Sequence, residues 1–202
     1  MNINVQNLDL GYTQCEELNT LAKTSGEEII SSLGSDISNL KVHWKGSDAT
    51  KHINNLIKVY DALIAIVTDA KGVTSAAGNA IIAIQEVRRS NGGAGSVGSM
   101  LPNNAPDAAS IPAAEETTEY YCDPSARSDY NQLVQICTDF VTFRNNFQSQ
   151  KDTLLSNWTA GANREQAVSN FNEFEGNADT YNKYLTDAKE NLEIAVSNLS
   201  QL

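Results

Sequence analysis

From Ile30 to Trp44 the apolar residues stand at Ile30, Leu33, Ile37, Leu40 and Trp44, spaced by three and four, which puts them on one face of a helix. After a short polar break, Gly46-Ser47-Asp48, the pattern resumes at Ala49, Ile53, Leu56, Tyr60, Leu63, Val67 and Ala70 and continues through Ala77, Ile81 and Ile84. The pattern predicts two amphipathic helices that fold back on each other. Gly46 supplies the backbone freedom a helix end needs, and Ser47 or Asp48 is the expected cap of the second arm. That arm, from about Ala49 to Arg88, is a rod of roughly 60 Å at ~1.5 Å per residue. Gly72 and Gly78 each lower helix propensity by about 1 kcal/mol relative to alanine, so a kink or a frayed end is expected beyond Lys71.

Between Ser90 and Glu119 the periodicity lapses. The stretch SNGGAGSVGSMLPNNAPDAASIPAAEETTE holds four glycines and three of the four prolines, and it reads as a flexible linker. Tyr120, Tyr121 and Cys122 are apolar for a linker end and are expected to dock on the helices. Helical spacing returns at Leu133, Cys137, Phe140, Phe147, Leu154 and Trp158.

Trp158 lies 114 positions after Trp44, and the same shift lays Leu33 on Phe147 and Leu40 on Leu154. Beyond the tryptophan the shift becomes 115, because WKG is matched by WTAG. Ile53 then meets Val168, Leu56 meets Phe171, Leu63 meets Ala178, Ala70 meets Leu185, Ala77 meets Leu192 and Ile84 meets Leu199. A shared landmark at a turn is harder to reach by chance than shared heptad-like spacing, so the chain reads as an internal duplication.

The expected fold is therefore all-α: two long antiparallel helical hairpins, residues 1–89 and 125–202, form a four-helix bundle and are joined by the flexible linker 90–124. Trp44 and Gly46 mark the first turn, Trp158 and Gly161 the second. Leu33, Leu40, Ile53, Leu56, Phe147, Leu154, Val168 and Phe171 are the expected packing residues. A tryptophan laid across such a turn buries ~150–250 Å² and pins the crossing. If the two turns lie at opposite ends, the linker must travel roughly 60 Å, within the contour length of its residues.

Lys+Arg 14 against Asp+Glu 25 gives a formal charge of -11, which would repel a phosphate backbone or an anionic membrane. Neither nucleic acid nor a membrane is an expected partner. The start MNINVQNLDLGYTQ has no basic residues followed by an apolar run, so no Sec-type signal is expected. Cys15, Cys122 and Cys137 fit neither a disulfide framework nor a zinc site, and Cys15 and Cys137 read as small apolar residues of helix faces. His43 and His52 flank the first turn without a ligand cluster, and Glu173, Glu175 and Asp179 read as a solvated helix face. No metal, no cofactor and no enzymatic activity are expected.

Two hairpins with a Trp-X-Gly turn, in an acidic chain, resemble the WXG family of ESAT-like proteins exported by type VII secretion systems. His43-Trp44-Lys45-Gly46 matches that motif directly, and Asn157-Trp158-Thr159-Ala160-Gly161 is similar to a second copy with one inserted residue. The resemblance implies a helical hairpin pair fused in one polypeptide, acting as a monomeric pseudo-dimer or a homodimer. It implies a secreted substrate, or a co-secreted partner or adaptor, that binds the secretion machinery, an effector or another WXG-like protein. The family's second export element, Tyr-X-X-X-Asp/Glu after the second helix, is not in place: Tyr184 and Asp187 stand one residue too close, and Tyr12 to Glu16 lies at the other end of a hairpin. The alternative of another class is a structural or host-facing helical module that inserts amphipathic arms into membranes. Its acidic, Asn- and Ser-rich polar faces run against the lysine and arginine that interfacial helices favour.

Overall fold

The computed structural model describes residues 5–158 and 161–199. Helix α1 (Val5–Leu21) passes through a π-helical turn, Ala22–Gly26, into α2 (Glu27–His43), and a two-residue strand β1 (Trp44–Lys45) leads into α3 (Ser47–Ser90). After a long extended stretch come β2 (Tyr121–Cys122), α4 (Ala126–Asn157) and α5 (Ala162–Leu199). The fold is all-α, as the periodicity predicts.

Side-chain contacts fix how the helices lie. Asp9 meets Gln85 and Arg88, Asn19 meets Thr74, Glu27 pairs with Lys71, and Trp44 stacks on His52, so α1 and α2 run as one arm antiparallel to α3. In the second pair Phe140 meets Tyr181, Arg144 meets Asp179, Phe147 meets Phe174 and Lys151 meets Glu175, again antiparallel. The pairs then pack on each other, α3 against α5 and both α1 and α2 against α4. His43 at the end of α2 reaches Asp129 in the first turn of α4, while Asn157 at the end of α4 reaches Gln14 in α1. The two tryptophans therefore sit at opposite ends, about 40 Å apart along α4.

The two pairs fill their interiors differently. In the first, Leu18, Leu33, Ile37, Leu40, Ile53, Leu56, Leu63 and Val67 are buried, and each such side chain contributes ~1.5–3 kcal/mol by leaving water. The helices come close at Gly26, where an added Cβ would stand 2.8 Å from Val67 Cγ1. The second is aromatic: Phe140, Phe143, Phe147, Phe171, Phe174 and Tyr181 form a chain of rings with centroids 4.6–6.2 Å apart.

Four expectations are corrected. Val168 is only half-buried, because the α5 stripe runs Ala167, Phe171, Phe174, Ala178 and leaves Val168 on its border. Ser47 and Asp48 do not cap α3; the residue before it is Gly46, whose carbonyl accepts from Thr50 N–H at 2.9 Å with no side-chain cap. Helix α3 continues unbroken through Gly72 and Gly78, since Gly78 is a buried contact with Leu101 and Cys15 and packing outweighs the local propensity. Residues 90–124 are not a flexible linker but an extended strap held along the first helical pair. Thr159 and Ala160, and the side chain of Leu199 expected opposite Ile84, lie outside the described residues.

Candidate functional site: two tryptophan turns and a docked strap

Trp44 leaves the helical conformation at φ -140° and ψ 125°, and its N–H still donates to Leu40 O. Two residues on, Gly46 turns at φ 122°, a region costly for any residue with a Cβ. Trp158 shares the helix-ending bond and the glycine, though at φ -96° and ψ 89°: its N–H donates to Leu154 O at 3.0 Å, and Gly161 turns at φ 118°. Both indoles are buried, Trp44 2% exposed and Trp158 5%. Each tryptophan read from the sequence thus ends a helix and is followed by a glycine at positive φ, two residues on in the first case and three in the second.

The exposed carbonyls at the helix ends are satisfied by different means. At the first turn, β2 pairs antiparallel with β1, Trp44 opposite Cys122 and Lys45 opposite Tyr121, and Asp123 N–H donates to His43 O at 2.7 Å. At the second, Arg164 donates from Nε to Trp158 O and from Nη2 to Leu155 O, a guanidinium covering a helix C-terminus. Tyr120 and Tyr121 keep their rings largely exposed, Tyr120 lying over Gly46, while Cys122 packs against the core and the main chain supplies the pairing. Around Trp44, His52 stacks at 5.5 Å, and burial holds its imidazole below the usual histidine range. The Trp44 indole N–H is buried without a hydrogen-bond partner, a cost of about 1–3 kcal/mol.

Between the two turns the strap follows the groove formed by α1, α2 and α3. Arg88 Nη2 donates to Ser96 O, Gln85 Oε1 accepts from Gly98 N–H, and Tyr12 Oη both donates to Ser99 O and accepts from Ser99 N–H. Farther on, Ser75 Oγ donates to Leu101 O, Asn19 Nδ2 to Pro102 O, Tyr60 Oη to Ala109 O, Lys41 Nζ to Pro112 O and Thr50 Oγ1 to Glu115 O. Asn54 grips Ala114 twice, accepting from its N–H at 2.8 Å and donating to its carbonyl at 3.4 Å. From Arg88 to Thr50 the α3 axis covers about 57 Å, and the strap from Ser96 to Glu115 covers about 59 Å at the ~3.1 Å rise of a polyproline-type chain. The strap is therefore stretched close to its natural extended length.

Where the first pair faces α4, Asp36 is 1% exposed and neither carboxylate oxygen has a hydrogen-bond partner. Burial, helped by the negative charge of Asp129, pushes its carboxyl up to about 8. Asp129 is itself buried, and its Oδ2 lies 2.7 Å from His43 Nδ1. Asp36 was legible as an anomaly, an acid three residues after Leu33 on the apolar stripe, but its partners come from another helix. Glu175 and Asp179, read as a solvated face, hold Lys151 and Arg144.

Burial raises the Cys15 thiol to about 12 and the Cys137 thiol to about 11, far from thiolate reactivity at neutral pH. Among the described residues no group of three or more His, Cys, Asp or Glu side chains is placed to hold a metal ion, and no helix is long and apolar enough to cross a membrane. Compared with models of known families, with characterised proteins and with solved structures, the chain matches none.

Proposed function

We propose that this chain is a non-enzymatic protein of the WXG type associated with type VII secretion, working as a secreted substrate or as a co-secreted partner or adaptor. It binds a secretion component, an effector or another WXG-like protein through its outer helix faces. The observation that carries the reading is the repeated turn: a buried tryptophan, a helix-ending bond from its N–H, and a glycine at φ 122° or 118°, twice in one chain. A fused pair of hairpins closed as a four-helix bundle places those turns at opposite ends and leaves Val134, Val141, Tyr184 and Ile194 exposed on α4 and α5 for a partner. It is made in the bacterial cytoplasm and exported by the type VII system.

The test is a tagged chain expressed in its own host, with and without the motor ATPase of the secretion system. Export that depends on the motor is expected, or co-purification of an effector or WXG-like protein with the retained chain. If neither occurs, the reading falls. Light scattering should give the mass of one 21.9 kDa chain for a bundle closed within itself, and twice that mass if hairpins exchange between copies.

A further inference from the structure

The grip on the strap has a chemical bias. Eight side chains of the first helical pair donate to strap carbonyls, at Ser96, Ser99, Leu101, Pro102, Ala109, Pro112, Ala114 and Glu115. Strap amides are used at Gly98, Ser99 and Ala114. A groove that reads carbonyls tolerates proline, which has no N–H, and it reads little of side-chain identity. The strap's own side chains are correspondingly modest: Leu101 seats against Gly78, Pro106 is buried, and Val97, Ala108, Ile111 and Ala114 pack only in part. Beside residues 107–112 a cleft of about 930 Å³, bordered by Ile30, Gly34, Ser38 and Tyr60, leaves room for larger side chains than those of Ala108, Ala109 and Ser110.

The duplication makes the bias specific to one half of the molecule. At the positions equivalent to Tyr12, Lys41, Asn54, Tyr60 and Ser75 the second pair carries Ala126, Leu155, Ser169, Glu175 and Glu190. Shared ancestry or shared packing would have kept the core positions alike, as at Leu40 and Leu154. The carbonyl-reading set is present only where a chain lies on it.

We propose that the groove between the α1–α2 arm and α3 is a binding site for an extended, proline-containing polypeptide, and that residues 96–115 are its tethered occupant. A partner's segment of the same chemistry enters by displacing the strap, whose ends stay attached through α3 and the β1–β2 ladder. A tethered occupant acts at an effective concentration on the order of millimolar, so a free peptide at micromolar concentration does not compete until the strap is loosened. This site is distinct from the outer faces invoked for secretion, and peptide capture is read without reference to export.

The probe is a fluorescein-labelled synthetic peptide with the sequence of residues 96–117, titrated by anisotropy into the full chain. Little binding is expected to the unaltered protein. In Leu101→Asp/Ile111→Asp, which weakens the strap and leaves the groove side chains intact, affinity for the peptide should rise by on the order of tenfold or more. Adding Asn54→Ala and Tyr60→Phe to that background should abolish the gain, and replacing the peptide's non-proline side chains other than Leu101 by alanine should preserve it. Circular dichroism checks that the helices persist. Should the charged pair unfold the chain, a protease site inserted between Asn103 and Asn104 and cleaved in the folded protein loosens the strap instead. Absence of saturable binding to a folded, loosened chain, or binding indifferent to Asn54 and Tyr60, overturns the proposal.

Discussion

Replacing Asp36 by Asn tests how the interior between α2 and α4 bears a buried acid. In the folded chain the Asp36 carboxyl titrates at about 8, raised first by burial and then by the charge of Asp129; unfolded, it returns to 3.8. Below the unfolded value both states hold the proton and the group has no effect. Between the two values the folded state holds one proton more than the unfolded state, so stability falls as pH rises, by about 1.4 kcal/mol per unit. Above the folded value both are ionised and the loss levels off, at ~5–6 kcal/mol for a gap of about four units. Asparagine has the shape of the neutral acid and does not titrate. The difference in unfolding free energy between Asp36→Asn and the parent, from urea denaturation at several pH values between about 4 and 9, should therefore widen with pH in favour of the variant. Taking the difference removes the other carboxylates, which titrate in both proteins. A difference that stays flat within ~0.5 kcal/mol over that range would show that Asp36 ionises in the fold at its ordinary value, and would refute the argument.

Trp44→Ala and Trp158→Ala should each lose about 3–5 kcal/mol of stability in chemical denaturation, the scale for emptying a buried aromatic site; a loss under ~0.5 kcal/mol at either would mean that indole does not seal its turn. Gly161→Ala meets no atom of the described residues within 4 Å, so its cost, about 1–3 kcal/mol in a thermal or urea melt, isolates the backbone strain at φ 118°. Gly72→Ala, also unobstructed but inside α3, should instead stabilise by ~0.5–1 kcal/mol, and a loss there would mean its backbone is not relaxed helix. Spin labels at Ser47 and Ala162 should lie more than ~40 Å apart, the length of α4 between the turns; a distance near 20 Å would contradict the antiparallel arrangement.

The helices and both turns could be read along the chain because each depends on local order. A spacing of three and four defines an apolar face wherever that face is buried, and Trp followed by Gly marks where a rod must reverse. Leu33, Leu40, Ile53, Leu56, Phe147, Leu154 and Phe171 are buried as their positions require. The repeat of the apolar spacing was legible for the same reason, while Val168 was misplaced because it stands at the border of the α5 stripe, where Ala167 takes the buried place. The strap was not legible. Its composition, rich in Gly, Pro and Ala and without helical spacing, is that of a free coil. Its order comes from Tyr12, Asn19, Asn54 and Tyr60, whose polar groups acquire these partners only when the tertiary structure lays a chain across them. The meeting of Asp36, Asp129 and His43 is of the same kind: sequence separations of 86 and more are closed only when α2 and α4 pack, and packing alone decides which charges lose their water.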